Sequence, residues 1–170
     1  MSYVIEANVM PMVFPTVAVI GALVSTTVRR PANAAERLET WLRWWFGAAV
    51  GFGALWIAVA FFFATDTFAA VIGYQTSGFQ WEVATANLGF AVVGFWCVRV
   101  KDHAREVSMV AYLIFLVGAA IEHVYNFVVN NDIQPGNVGT ILLADVGVPV
   151  VALILILASR RLDKKASALR

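Results

Sequence analysis

Several polar side chains lie inside stretches of the sequence that are otherwise apolar. They are Glu82, Asn87, Glu122, His123, Asn126 and Asp145. An ionisable group within a membrane is costly unless it is paired or hydrated, so its presence there indicates a functional site. Carboxyl groups together with an imidazole favour a cation, a proton or a small hydrogen-bond donor as the bound species.

The positions of these residues predict that three helices bring polar groups to one depth of the membrane. A helix rises about 1.5 Å per residue, so Glu122 and His123 lie roughly 10 Å from the nearer end of their helix. Asp145 lies roughly 10 Å from the start of the next helix, and Asn87 lies roughly 12 Å from the start of an earlier one. We therefore expect these side chains to meet inside the bundle.

Two further residues extend the predicted site. Asn126 follows Glu122 by four positions and His123 by three, so the three side chains share one patch of the helix surface. Glu82 lies nearer the membrane surface, as a group at the entrance of a pocket would. The sequence thus predicts a polar ligand-binding pocket in the extracytoplasmic half of the bilayer, used for binding or for transport.

One alternative is an intramembrane enzyme. Glu122, His123 and Asp145 could serve as acid and base groups, or as mixed nitrogen and oxygen ligands of a metal ion. We favour a protein without catalytic activity, because the sequence has no nucleophile motif, phosphate-binding glycine loop or thiolate metal motif. No cofactor is indicated, and no catalytic residue is assigned.

A second alternative is a structural subunit of a larger membrane complex. The same polar network would then hold helices together, as such bonds do in other membrane proteins. Gly47 and Gly51, and the small residues at 118–120, would allow helix backbones to approach closely. A homo-oligomer and a partner membrane subunit both stay open, whereas nothing in the sequence indicates nucleic acid binding.

The composition of the chain requires a lipid environment. Of its 170 residues, 61% are hydrophobic and only 14% are charged, whereas soluble domains carry about a quarter charged residues. Apolar stretches long enough to cross the hydrocarbon core occupy residues 9–28, 44–63, 79–98, 107–129 and 138–158. Because backbone groups in lipid must be satisfied within the segment, we predict a single all-α membrane domain of five helices over residues 1–170.

Basic residues set the predicted orientation. All 12 Lys and Arg residues fall within residues 29–43, 99–105 and 160–170, at alternate connections of the five predicted helices. Positive charge marks the cytosolic side, so we expect an outer N-terminus, an inner C-terminus and a basic cytosolic tail at 159–170. The protein is then a multi-pass protein of the plasma or inner membrane, surrounded by lipid. Tryptophans are expected at the inner interface: Trp41, Trp44, Trp45 and Trp96.

Local signals place several helix ends. Asn33 and Glu36 form a capping-box pattern at the start of the second helix, and a Glu39–Arg43 pair should follow on its exposed turn. Residues 66–73 are expected to form a short interfacial helix capped by Asp66. In the same way, Asn137 is expected to cap the last membrane helix.

The sequence between Trp81 and Pro149 carries a distinctive series of residues. It runs Glu82, Ala86-Asn87-Leu88-Gly89-Phe90, Gly118-Ala119-Ala120-Ile121-Glu122-His123-Val124-Tyr125, Pro135-Gly136-Asn137-Val138-Gly139, Asp145 and Pro149. With this series the chain resembles a family of small bacterial inner-membrane proteins of unknown function, over roughly residues 81–149. The most specific part is the order His123, Pro135-Gly136-Asn137, Asp145. The resemblance implies a bacterial multi-helix membrane protein and implies no reaction.

Overall fold

Helices connected by short loops make up the part of the chain that the structure describes. The structure is a computed structural model that describes residues 2–168, with only the backbone described for residues 2–6. Its helices are α1 Ser2–Arg29, α2 Ala34–Phe63, α3 Thr65–Val71, α4 Phe79–Cys97, α5 Ala104–Asn130 and α6 Thr140–Ala168. No strand occurs among these residues, which confirms the predicted all-α class.

Four of these helices are long and apolar enough to cross a membrane. They are α1 from Ala7 onward, α2, α5 and α6. The 19-residue helix α4 is not among them, and Gln80, Glu82 and Asn87 all lie in its first half. A membrane protein with at least these crossings is therefore supported, whereas the fifth crossing stays a prediction.

One end of the bundle gathers the three basic regions of the sequence. Arg105 at the start of α5 donates two hydrogen bonds to the carboxylate of Glu39 on α2, at 2.8 and 3.1 Å. Lys101 lies 3.9 Å from the same carboxylate. Arg160 on α6 pairs with Glu106 on α5. We call this the basic end, and the face of the membrane that it occupies is predicted from charge alone.

The opposite end is closed by contacts between loops. The Gly136 N–H donates to the Val71 carbonyl at 3.0 Å, which joins the loop at 131–139 to the end of α3. The Thr140 hydroxyl donates to the carbonyl of Asn8 and so ties the start of α6 to α1. The connections after α1 and α4 lie at the basic end, whereas α3 and the loop at 131–139 lie at the opposite end. Successive long helices therefore run in alternating directions.

Helix α2 is the centre of the packing and contacts α1, α4 and α6. Its middle, Trp45–Phe52, is π-helical, an irregularity often found near functional sites. Gly51 and Gly94 allow α2 and α4 to touch through their backbones, since a Cβ added to Gly94 would lie 2.8 Å from the Gly51 Cα. At Gly118, an added Cβ would meet nothing within 4 Å, so no helix of this bundle packs closely on it, and its contact with a partner stays a prediction.

The structure confirms the predicted start of α2. The Asn33 side chain accepts a hydrogen bond from the Glu36 N–H at 2.9 Å, as an N-cap does. Glu36 reaches back to the Ala32 N–H, one residue before the position that the capping-box pattern implies. The Glu39–Arg43 pair is present at 2.9 Å.

Other local predictions are wrong because tertiary partners use the side chains. Asp66 lies inside the first turn of α3 and accepts a hydrogen bond from the Thr76 hydroxyl at 2.7 Å. Asn137 is fully buried and precedes α6, which begins at Thr140. Trp45 is buried, away from the interface, because its indole N–H donates to the Val148 carbonyl at 2.9 Å.

The predicted tail at 159–170 is helical as far as the structure describes it. Helix α6 continues from Thr140 to Ala168, whereas a membrane helix ending at 158 was expected. The residues beyond 158 include no glycine or proline and most of them are good helix formers, so nothing in this segment ends the helix. Arg170, part of the third basic region, lies outside the described residues.

Candidate functional site

A cavity of about 850 Å³ lies inside the bundle, with residues of all six helices in its wall. This volume is in the range of pockets that hold small ligands. Most of the wall is apolar and much of it is aromatic: Phe14, Trp56, Phe61, Phe68, Phe79 and Phe115. The ionisable side chains of the wall are Tyr74, Tyr112, Glu122, His123 and Asp145. The cavity is therefore an apolar chamber with a polar group of side chains on α5 and α6.

The deepest polar pair of the wall is His123 with Asp145. Both residues are buried, and His123 Nε2 lies 3.8 Å from Asp145 Oδ2. That distance is too long for a hydrogen bond. Within the described residues, no group donates a hydrogen bond to Asp145 Oδ2. A buried carboxyl oxygen without a donor is costly, so this atom is the natural position for a donor on a bound molecule.

Asn137 fixes the tautomer and orientation of His123. Its amide nitrogen donates to the carbonyl oxygens of His123, at 3.3 Å, and Asp132, at 3.0 Å. The amide oxygen therefore faces His123 Nδ1, 2.7 Å away, as an acceptor. Since an acceptor requires a donor opposite it, Nδ1 carries a proton, and Nε2 is the ring nitrogen turned towards Asp145.

Glu122 lies on the other side of His123 and belongs to a polar chain near the cavity edge. Glu122 Oε2 is 3.8 Å from His123 Nδ1, and Glu122 Oε1 accepts a hydrogen bond from Asn126. Asn126 also donates to the Tyr74 hydroxyl at 2.9 Å, and it accepts from Asn130 at 2.6 Å. Burial and the neighbouring Glu122 raise the pKa of Tyr74, so its phenol is neutral. This chain ties the α3–α4 connection to α5.

The remaining two predicted residues have different positions. Asn87 is buried in the cavity wall, and its amide nitrogen donates to the Val83 carbonyl at 2.9 Å. Glu82 is exposed in the first turn of α4 and does not line the cavity. The two residues are five positions apart, which turns them about 140° from each other on the helix. The structure therefore brings Asn87 to the site and leaves Glu82 outside it.

Gln80 and Tyr112 are wall residues that the sequence analysis missed. Gln80 is buried, and its side-chain oxygen accepts from the Ser77 N–H at 2.7 Å. Ser77 and Gln80 have the spacing of a capping box, so this pattern could have been found. Tyr112 is buried and its ring packs against Phe90, with 4.9 Å between ring centroids. No spacing rule distinguishes Tyr112 from an ordinary aromatic of a membrane helix.

The expected metal ligands do not converge on one point. Glu122 and Asp145 face opposite nitrogens of the His123 ring, and the nitrogen on the Glu122 side is already bonded to Asn137. In the described part of the chain, no group of three or more His, Cys, Asp and Glu side chains could hold a metal ion. Glu122, His123 and Asp145 therefore do not share a common point in this geometry, and a metal ion on them stays an alternative.

Comparison with known proteins identifies the family. The model of a family of unknown function, DUF6790, matches residues 8–165. The chain therefore belongs to this family, and the match extends well beyond the 81–149 region whose residues carried the resemblance. No curated protein and no solved structure gave a match. Family membership supplies no activity, so the function must be argued from the geometry of the site.

Proposed function

We propose that this membrane protein binds a small molecule in the cavity through a hydrogen-bond donor placed on Asp145. The observation that carries the proposal is the buried Oδ2 atom of Asp145, which has no donor among the described residues and lies in the wall of a ligand-sized cavity. A donor group of the ligand would remove the cost of this unsatisfied oxygen. The apolar wall would hold the rest of the molecule.

The charges around the cavity favour a cationic donor such as an amine. Asp145 and Glu122 are in the wall, and no Lys or Arg of the described chain lines it. His123 Nδ1 is committed to Asn137, so only Nε2 is available to interact with Asp145 or with the ligand. An ammonium group placed between Asp145 Oδ2 and His123 Nε2 could therefore donate a hydrogen bond to the carboxyl oxygen and another to the unprotonated ring nitrogen.

Binding is favoured over transport because buried side chains pack against one another just inside the basic end. Arg105 is buried there and bonds to Glu39 and, at 2.8 Å, to the Cys97 carbonyl. Its guanidinium lies 5.8 Å from the centre of the Phe46 ring, which is itself fully buried. A path through the membrane would have to open this packed region.

The proposed topology has five crossings, with α4 as the fifth, an outer N-terminus and the basic end in the cytosol. The 19 residues of α4 connect the same two ends as the four candidate spans. The three basic regions contact one another at a single end, which supports a common side. In this arrangement Glu122, His123 and Asp145 lie in the extracytoplasmic half of the bilayer and α3 lies at the outer interface.

The test uses three soluble probes that differ only in the polar group: 2-phenylethylamine, 2-phenylethanol and 3-phenylpropionate. Binding to purified protein is measured by isothermal titration calorimetry. We expect the amine to bind best and the carboxylate not to bind. A hydrogen bond to a charged group contributes about 1.5–3 kcal/mol, so Asp145→Asn should weaken amine binding roughly ten- to hundredfold.

The matched control is Glu82→Gln, which removes one exposed carboxylate outside the cavity and should leave amine binding unchanged. If Asp145→Asn binds the amine with the affinity of the unaltered protein, the proposal is wrong. If no probe binds and Asp145→Asn changes only stability, the polar network is structural, as expected of a subunit of a larger complex.

A further inference from the structure

We take the side of the cavity between α4 and α5 as its opening, because these two helices make few contacts with each other. Gly118 and Glu122, one turn apart on α5, are both exposed and both line the cavity. Phe79 on α4 also lines it, with 59% of its surface exposed. A Cβ added to Gly118 would meet nothing within 4 Å, so empty space adjoins the helix at this point.

This opening faces lipid. Gly118 lies near the middle of the 27-residue α5, roughly 20 Å from either end, because each residue adds about 1.5 Å. An exposed face at the middle of a membrane-crossing helix contacts hydrocarbon and not water. A molecule that passes Gly118 therefore comes from the bilayer.

The end of the cavity opposite the basic end is covered by protein. Thr67, Phe68 and Val71 of α3 are part of the wall, and Gly136 of the 131–139 loop is bonded to Val71. Tyr74, which follows α3, is bonded to Asn126 on α5. These contacts hold α3 and the 131–139 loop over the cavity, so the side opening is the direct route into it.

We infer, building on the proposed function, that the ligand is a single-chain amphiphile dissolved in the membrane, with an amine as its polar group. It enters between α4 and α5, places its apolar part among the aromatic side chains of the wall and its amine on Asp145. A cavity of about 850 Å³ suits a drug-sized molecule better than a two-chain phospholipid.

Selectivity for amines follows from comparing the surroundings of the ligand in the bilayer with its surroundings in the cavity. Lipid already surrounds the apolar part of an amphiphile, so transfer of that part into the cavity gives little driving force. The amine leaves the headgroup region, where water and phosphate oxygens accept its hydrogen bonds, so Asp145 has to replace these partners. The polar group should therefore decide which amphiphiles bind.

The experiment blocks the opening in protein that has already folded. Gly118→Cys and, as the matched control, Gly89→Cys are purified, placed in phosphatidylcholine nanodiscs and labelled with N-phenylmaleimide. Gly89 is exposed on α4, has nothing within 4 Å of its Cβ position and does not line the cavity. The native Cys97 is fully buried and should not react. Tritiated tetradecylamine and tetradecanoate are then bound, with and without label.

We expect saturable binding of tetradecylamine, little binding of tetradecanoate, and at least a tenfold loss of amine binding rate when position 118 is labelled. Labelling at position 89 should change nothing. Unchanged tetradecylamine binding after labelling at 118, or equal binding of tetradecanoate, overturns the inference. If 2-phenylethylamine still binds through Asp145 in that case, the proposed function survives. If neither amine depends on Asp145, both fail.

Discussion

Replacing Asn137 by alanine should both destabilise the protein and release the His123 ring. The substitution removes the bond to His123 Nδ1 and the two bonds to the carbonyls of His123 and Asp132. Buried hydrogen bonds contribute about 0.5–1.5 kcal/mol each. Asn137 is fully buried, so the loss of three such bonds predicts a decrease of roughly 2–4 kcal/mol in the free energy of unfolding.

The unfolding free energy is measured by titration with sodium dodecyl sulfate in mixed micelles with dodecyl maltoside. The control is Asn130→Ala, which removes a single 2.6 Å bond at an exposed helix end and should cost less than about 1 kcal/mol. A value for Asn137→Ala within about 0.5 kcal/mol of the unaltered protein would refute this account of the site.

The tautomer provides a second readout that a general loss of stability would not produce. The chain has two histidines, so His103→Gln leaves His123 as the one histidine ring, with separate Nδ1 and Nε2 signals, in nitrogen-15 NMR spectra. We expect Nδ1 to be protonated in the presence of Asn137, and the preference to be lost in Asn137→Ala. A ring with an unprotonated Nδ1 in the otherwise unaltered protein would show that Asn137 does not hold it as described.

Three further predictions concern stability and topology. Arg105→Met should cost about 1–3 kcal/mol in the same unfolding assay, because it leaves the Cys97 carbonyl and one oxygen of the partly buried Glu39 carboxylate without their donor. Arg43→Met removes an exposed pair and should cost less than about 1 kcal/mol. Equal losses would contradict this. Gly94→Leu should lower the free energy of unfolding by at least about 1–3 kcal/mol, because the added side chain separates α2 from α4. Gly89→Leu, where the helix has open space, should leave it unchanged. An unchanged unfolding free energy in Gly94→Leu would show that the two backbones do not touch. Reporter fusions in the loop at 131–139 and after α6 should report exterior and cytosol respectively, and finding both on one side would remove α6 as a crossing.

The sequence predicts the helical class and the group of polar residues on α5 and α6 because both depend on simple spacing. Long apolar stretches in lipid have few alternatives to a helix. Glu122 and Asp145 each lie near the His123 ring because all three residues are at a similar distance from the same end of their helices. Equal depth was therefore enough to predict that the three side chains are neighbours. It could not predict that Glu122 faces Nδ1 of the His123 ring and Asp145 faces Nε2.

The role of Asn137 could not be predicted from local spacing. A Pro-Gly-Asn sequence before an apolar stretch usually marks the start of a helix. It is misleading here because the Asn137 side chain hydrogen-bonds to the buried His123 and does not cap α6. Trp45 is likewise held by a distant partner, since its indole N–H donates a hydrogen bond to the Val148 carbonyl on α6. The cavity itself is defined by side chains from all six helices, and no periodicity in one helix indicates a volume between several.

The central claim is that a ligand's donor occupies the position next to Asp145 Oδ2. The most direct measurement is an experimental structure of the protein with 2-(4-bromophenyl)ethylamine, whose bromine can be located by anomalous scattering. The account predicts bromine among the aromatic side chains of the cavity and an amine nitrogen about 2.7–2.9 Å from Asp145 Oδ2. A cavity filled by side chains, or an amine bound elsewhere while Asp145 Oδ2 accepts a bond from the protein itself, would contradict it.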